Sequence, residues 1–106
     1  MDVLKYLNSV GGNERQCKPY QVFLDRTLKG GTSAGKFNYQ KDVHDFDQCI
    51  MRCCGDESCD ISLMMGTICF LVTCKSRDLC DISHSKPEKY ATKIAYIRIA
   101  LVKSGM

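Results

Sequence analysis

Apolar and polar positions alternate early in the chain. In CKPYQVFLDRTLK, Tyr20, Val22 and Leu24 fall on one side of an extended chain, and Gln21, Phe23 and Asp25 on the other. This pattern predicts a strand with both faces partly covered, with Pro19 tolerated at its first residue. GGTSAGKF then reads as a loop, and FNYQKDV as a short strand. In DFDQCIMRCCG the period changes to that of a helix. Asp45 is placed to cap it, Gln48 stands at the capping-box spacing, and Gly55 closes it. Cys49 and Cys53 lie at i and i+4, and Ile50 and Cys54 form the adjacent pair. A helix this short needs to be held down by something else.

Alternation returns in CDISLMMGTICFLVTC, which predicts two strands about a turn at Met65, Gly66 and Thr67. In the second strand Cys69, Leu71 and Thr73 point one way, and Phe70, Val72 and Cys74 the other. Cys69 and Cys74 are therefore expected on opposite faces. Met64 and Met65 near the tip are either an exposed apolar contact or, as is commoner, residues packed beneath a loop. KSRDLCDISHSKPEKY is polar and loop-like. ATKIAYIRIALV predicts a long closing strand. Ala95, Ile97, Ile99 and Leu101 share one face, and Ile94, Tyr96, Ala100 and Val102 the other, as suits a central strand. The fold class expected is α+β: one short helix cross-linked onto an antiparallel sheet of four or five strands. Residues 1–16, with Val3, Leu4 and Leu7 in a weak amphipathic pattern, are expected to form a tail or short helix, and residues 17–103 the domain.

The chain has 106 residues, one domain's worth, with a core small enough that covalent help would matter. No run approaches the ~18 apolar residues of a membrane-crossing helix. The opening MDVLKYLNSV lacks the basic start and apolar block of a secretory signal. A net charge of +3, from 15 basic and 12 acidic residues spread thinly, argues against nucleic-acid binding.

The eight cysteines change the picture most. Zinc sites favour C-x(2–4)-C knuckles on tight turns, but Cys49 to Cys54 reads as helix, and His44 and His84 are isolated. Thioredoxin-like chemistry wants C-x-x-C at a helix start, whereas these thiols lie inside a helix and at its end. Density and spacing favour disulfides for Cys17, Cys49, Cys53, Cys54, Cys59, Cys69, Cys74 and Cys80, hence an oxidising compartment, extracellular or secretory. No metal or cofactor is expected.

The string Cys49-x3-Cys53-Cys54-x4-Cys59-Asp60, then Cys69-Phe70-Leu71-Val72-x-Cys74, then Cys80, resembles the MANSC (or MANEC) domain of the PAN/apple superfamily. Such modules stand near the N-termini of membrane proteins such as hepatocyte growth factor activator inhibitors, a low-density-lipoprotein-receptor-related protein and dyslexia-associated proteins. The resemblance covers roughly residues 17 to 100. It implies an extracellular, non-catalytic module of a larger receptor or inhibitor. By analogy with apple domains it implies Cys49 bonded to Cys69 and Cys53 to Cys59. Pairing what remains as Cys17 with Cys80 and Cys54 with Cys74 completes the set, although face parity strains the last pair. Apple domains carry a cysteine near the last strand, and YIRIALV has none. No Asn-x-Ser/Thr sequon is present, so N-glycosylation is not expected.

The function expected is recognition of a protein partner or a neighbouring domain of the same chain. A second class is binding of a heparin-like glycosaminoglycan by Lys75, Arg77, Lys86, Lys89 and Lys93, if they fold onto one face. Asp78, Asp81 and Glu88 interrupt that run, and charge runs usually only solvate a surface. Catalysis by Asp81, Ser83, His84 and Ser85 is disfavoured, because nothing marks a nucleophile elbow or a rigid pair of acids.

Overall fold

The computed structural model describes residues 17–19, 21–87 and 89–98. The elements in chain order are β1 (Gln21–Leu24), β2 (Thr27–Leu28), a 3-10 turn (Gly31–Ser33), β3 (Gly35–Gln40), α1 (Phe46–Cys54), β4 (Ile61–Met65), β5 (Ile68–Cys74), β6 (Ile82–Ser83) and β7 (Thr92–Tyr96). Five strands form one antiparallel sheet in the order β1-β7-β4-β5-β3, and β2 pairs with β6 in a separate two-stranded ribbon. The fold is the small α+β domain the sequence called for.

The helix forms as its caps dictate. The Asp45 carboxylate accepts the Gln48 backbone N–H at 2.9 Å, which satisfies a donor that the first turn leaves unpaired. Gly55 ends the helix. At that end the Arg98 guanidinium donates to three carbonyls: Cys53 at 2.8 Å, Cys59 at 3.0 Å and Cys54 at 2.7 Å. A cation there also suits the negative end of the helix dipole.

The central strands β4, β5 and β7 are covered on both faces, which explains their apolar runs. One face packs against α1: Cys49 and Cys53 meet Met64, Cys69, Leu71, Ala95 and Ile97. The opposite face packs beneath the ribbon and the segment before it: Leu28, Ala34 and Cys80 meet Ile61, Leu63, Val72, Ile94 and Tyr96. Met64 is fully buried and Met65 half-buried, so the hairpin tip is not an exposed methionine patch.

Several expectations need correction. The strand expected across CKPYQVFLDRTLK is two strands in two sheets. Asp25 takes a positive φ of 54°, a left-handed conformation that Asp tolerates better than most residues. The chain turns there, and β2 leaves the main sheet. Only Phe23 of β1 packs inward, edge-on to Tyr96 at 5.8 Å, while Val22 and Leu24 are exposed. In GGTSAGKF the chain makes the 3-10 turn and enters β3 at Gly35. A Cβ at position 35 would collide with the Thr73 carbonyl oxygen and lie 2.9 Å from Cys74 Cα. The polar segment after β5 contains β6. The closing strand ends at Tyr96, because the Ile97 and Arg98 N–H groups both turn to the Asp60 carbonyl, at 2.9 and 3.2 Å. The readings of residues 1–16 and 99–102 lie outside the described residues.

The cysteines form four bonds: Cys17–Cys54, Cys49–Cys69, Cys53–Cys59 and Cys74–Cys80. The Cys49–Cys69 and Cys53–Cys59 pairs are as the resemblance implied. The Cys17–Cys80 and Cys54–Cys74 pairs are not formed. Cys74 faces the ribbon side, away from the helix, and meets Cys80 with a Cα–Cα distance of 6.0 Å. Cys54 sits on the helix side, where Cys17 reaches it at 5.8 Å. The sheet stands between the two wrongly paired sets.

Candidate functional site

The titratable groups with shifted pKa values, and Asp81, are already held in structural roles. Tyr96 is buried, donates its hydroxyl hydrogen to the Cys80 carbonyl, and has its pKa pushed up by burial and then by the Asp81 charge. The Asp42 carboxylate is held below its ordinary range chiefly by its hydrogen bonds from Arg52, whose guanidinium is raised in turn. Asp56 is lowered by hydrogen bonds from the Ser58 hydroxyl and N–H. Asp81 pairs with Lys29 at 3.3 Å and accepts the Ile82 N–H at 2.9 Å, and the Ser83 hydroxyl accepts the Ser85 N–H. These contacts hold a turn together. Among the described residues no group of three or more His, Cys, Asp and Glu side chains could hold a metal ion.

A concave site does exist, on the ribbon side of the sheet. Leu63 of β4, Phe37 of β3 and Thr92 of β7 form its floor, with Met65 at the hairpin tip. Thr27 and Leu28 of β2, Gly31 and Thr32 of the 3-10 turn, Arg26 and Pro87 complete the lining around its mouth. The cavity holds about 240 Å³ and is lined almost wholly by carbon.

Its walls are fixed by hydrogen bonds to the backbone. The Thr92 hydroxyl donates to the Arg26 carbonyl at 2.7 Å and accepts the Arg26 N–H at 3.1 Å. The Asp25 N–H donates to the Thr92 carbonyl at 2.8 Å. Lys29 and Gly30 donate to the carbonyls of Asp81 and Leu79, both at 2.8 Å. The break at Asp25 therefore does more than end β1: it carries β2 over the sheet and leaves the cavity beneath.

Beside the mouth, and sharing Pro87, lies a second depression formed by Asp25, Lys86, Lys89, Tyr90 and Ala91. The structure thus brings Lys86 and Lys89 together. Lys93 sits on the other face of the sheet, its Nζ 5.8 Å from the centroid of the Phe46 ring. Lys75 and Arg77 follow the far end of β5, beyond seven strand residues, about 20 Å from the hairpin tip at the usual rise. His84 is exposed in the same connection as Lys86.

Sequence reasoning missed Arg26, Thr92, Asp60 and Arg98. Asp60 joins three strands: its N–H donates to Val72, its carbonyl accepts from Ile97 and Arg98, and its carboxylate accepts the Cys74 N–H at 2.8 Å. A visible signal existed for Arg98, a single charge inside an otherwise apolar run. None existed for Thr92, whose partner is 66 residues away.

A family model for the N-terminal domain of the dyslexia-associated protein KIAA0319 matches residues 14–95. No curated protein and no solved structure matches the chain.

Proposed function

Because the chain belongs to the family of the dyslexia-associated protein KIAA0319 N-terminal domain, we propose that it is an extracellular, non-catalytic protein-interaction module of a larger membrane receptor or inhibitor. The observation that carries this reading is the set of four disulfides on a domain of this size. Bonds at that density belong to oxidising compartments and are rare where thiols are kept reduced. They also brace both faces of one sheet, so loops presented from it lose little freedom on binding. The finer likeness to a MANSC module of PAN/apple type is part of the reading. It is supported by the short helix carrying Cys49 and Cys53 and by the bond from Cys49 to the adjoining hairpin at Cys69. The module is taken to span residues 17–103. Its partner is another protein or a neighbouring domain of the same chain.

The test is to produce the domain in two compartments. Secreted from a eukaryotic cell, it is expected as a soluble species with no alkylatable thiol. Produced in a reducing cytosol, it is expected to misfold. A folded, thiol-bearing product from the cytosol would overturn the reading. The secreted form, added to cells, is then expected to bind saturably and to be displaced by unlabelled domain.

A further inference from the structure

We propose that the cavity beneath the ribbon is a socket for one large apolar side chain, presented by a partner segment that carries carboxylates on either side of it. The inference rests on the recognition reading above and names its site and the chemistry of its partner.

Size comes first. Small-molecule sites usually span roughly 300–1,000 Å³, and about 240 Å³ falls below that range. The space suits a side chain such as Phe, Leu or Met rather than a cofactor. Anchors of this kind, set in a dry pocket, carry most of the affinity at protein interfaces. The lining has the matching character: Leu28, Phe37, Leu63 and Met65 supply carbon, and the one buried hydroxyl, on Thr92, is already paired with the Arg26 backbone. Nothing inside asks for a polar ligand.

Charge then selects among apolar partners. The mouth and the depression beside it carry Arg26, Lys86 and Lys89, against Asp25; with Glu88, which stands between the two lysines in the sequence, the balance is still positive. None of these three cations forms an ion pair with another described residue; the ion pairs nearby and on the helix are Lys29 with Asp81 and Arg52 with Asp42. Arg26 does donate to the Asp25 carbonyl at 3.2 Å, a neutral acceptor that leaves its charge in place. A basic partner would be repelled, and an acidic one drawn in. Tyr90, half exposed beside the lysines, adds a flat surface of the kind enriched at interfaces.

The experiment is a heteronuclear NMR titration of the secreted, fully oxidised domain. Three capped five-residue peptides serve as probes: Asp-Glu-Phe-Glu-Asp, the same peptide with Ala at its centre, and Lys-Lys-Phe-Lys-Lys. The first is expected to shift the Leu63, Met65 and Leu28 methyls and the Phe37 and Thr92 amides. The Ala peptide is expected to bind about tenfold more weakly or worse, as loss of one buried aromatic implies, and the basic peptide not at all. The paired exposed substitutions Lys86→Glu and Lys89→Glu, in a protein with an unchanged spectrum, are expected to weaken the first peptide about fivefold to tenfold. Equal binding of the Phe and Ala peptides, shifts confined to another face, or indifference to charge reversal would each overturn the socket. A heparin oligosaccharide that shifts Lys86 and Lys89 while the Phe peptide leaves Leu63 and Met65 unmoved would overturn it in favour of a sulfated glycan. Failure of the peptides on a fully oxidised, secreted domain sinks the socket alone; failure to oxidise or to be secreted sinks the recognition reading itself.

Discussion

Single residues hold this fold at points where the backbone has no other partner. Tyr96 is the clearest, since its hydroxyl is the hydrogen-bond donor to the buried Cys80 carbonyl. Tyr96→Phe leaves that carbonyl unpaired, and a cost of about 1–3 kcal/mol is expected, read as a lower denaturant midpoint at an unchanged slope. Gly35 is the steric counterpart. A methyl group there meets the Thr73 carbonyl and the Cys74 backbone, so Gly35→Ala is expected to cost at least as much by forcing β3 from β5. The same substitution at Gly55, where a Cβ meets nothing nearer than 3.7 Å, is the control and should be nearly silent. Neither Tyr96 nor Gly35 could be singled out from sequence. Tyr96 read as one of several apolar residues on a strand face, and Gly35 as loop glycine, because what constrains each is a neighbour far along the chain.

At the scale of elements, legibility followed the range of the forces involved. The helix was readable to its caps, because Asp45, Gln48 and Gly55 act within one turn of it. The β4–β5 hairpin was readable because Gly66, at φ 63°, marks the turn that two alternating runs require. The β2–β6 ribbon was not, because two residues on each side leave no period to detect, and its pairing joins Leu28 to Ile82 across the chain. Arg98 is where this long-range kind of contact can be tested. Arg98→Met keeps the apolar stem of the side chain and removes three hydrogen bonds, two to the helix-end carbonyls of Cys53 and Cys54 and one to that of Cys59. A loss of about 1–3 kcal/mol is expected, with hydrogen exchange speeding up first in Cys53 and Cys54. Acid acts at the same scale. Asp42 and Asp56 are lowered in the folded chain, so their contributions are complete above the unfolded carboxylate range, near pH 4, and are lost as pH falls through the folded values. Asp42 is exposed and Asp56 only half-buried in a surface turn, so thermal stability is expected to be flat from neutral pH to about pH 5 and to decline only gently below it.

The molecule as a whole is a sheet fastened on both sides. Two bonds tie the helix, one to β5 and one to its own exit, a third ties Cys17 to the helix end, and the fourth fastens the ribbon side. The loops they close differ in length, with separations of 37, 20, 6 and 6 residues. On chain entropy alone, opening Cys17–Cys54 costs about 4 kcal/mol and opening Cys74–Cys80 about 2 kcal/mol. The paired Cys→Ser variants are therefore expected to rank in that order by melting temperature. The face parity of β5 already contained the answer for Cys74, which could not reach the helix side that Cys54 occupies. What the sequence lacked was the element that Cys80 would stand on, since the ribbon side had left no trace in the hydrophobic pattern.

Digestion of the unreduced protein with trypsin and Asp-N, followed by mass spectrometry, tests that arrangement most directly. The account predicts two separate cross-linked clusters. One joins residues 47–52, 60–75 and 78–80 through Cys49–Cys69 and Cys74–Cys80, and the other joins 53–55, 56–59 and the fragment holding Cys17 through Cys53–Cys59 and Cys17–Cys54. A fragment in which 53–55 is linked to 60–75, or Cys17 to 78–80, would contradict it, as would thiols free to react before reduction.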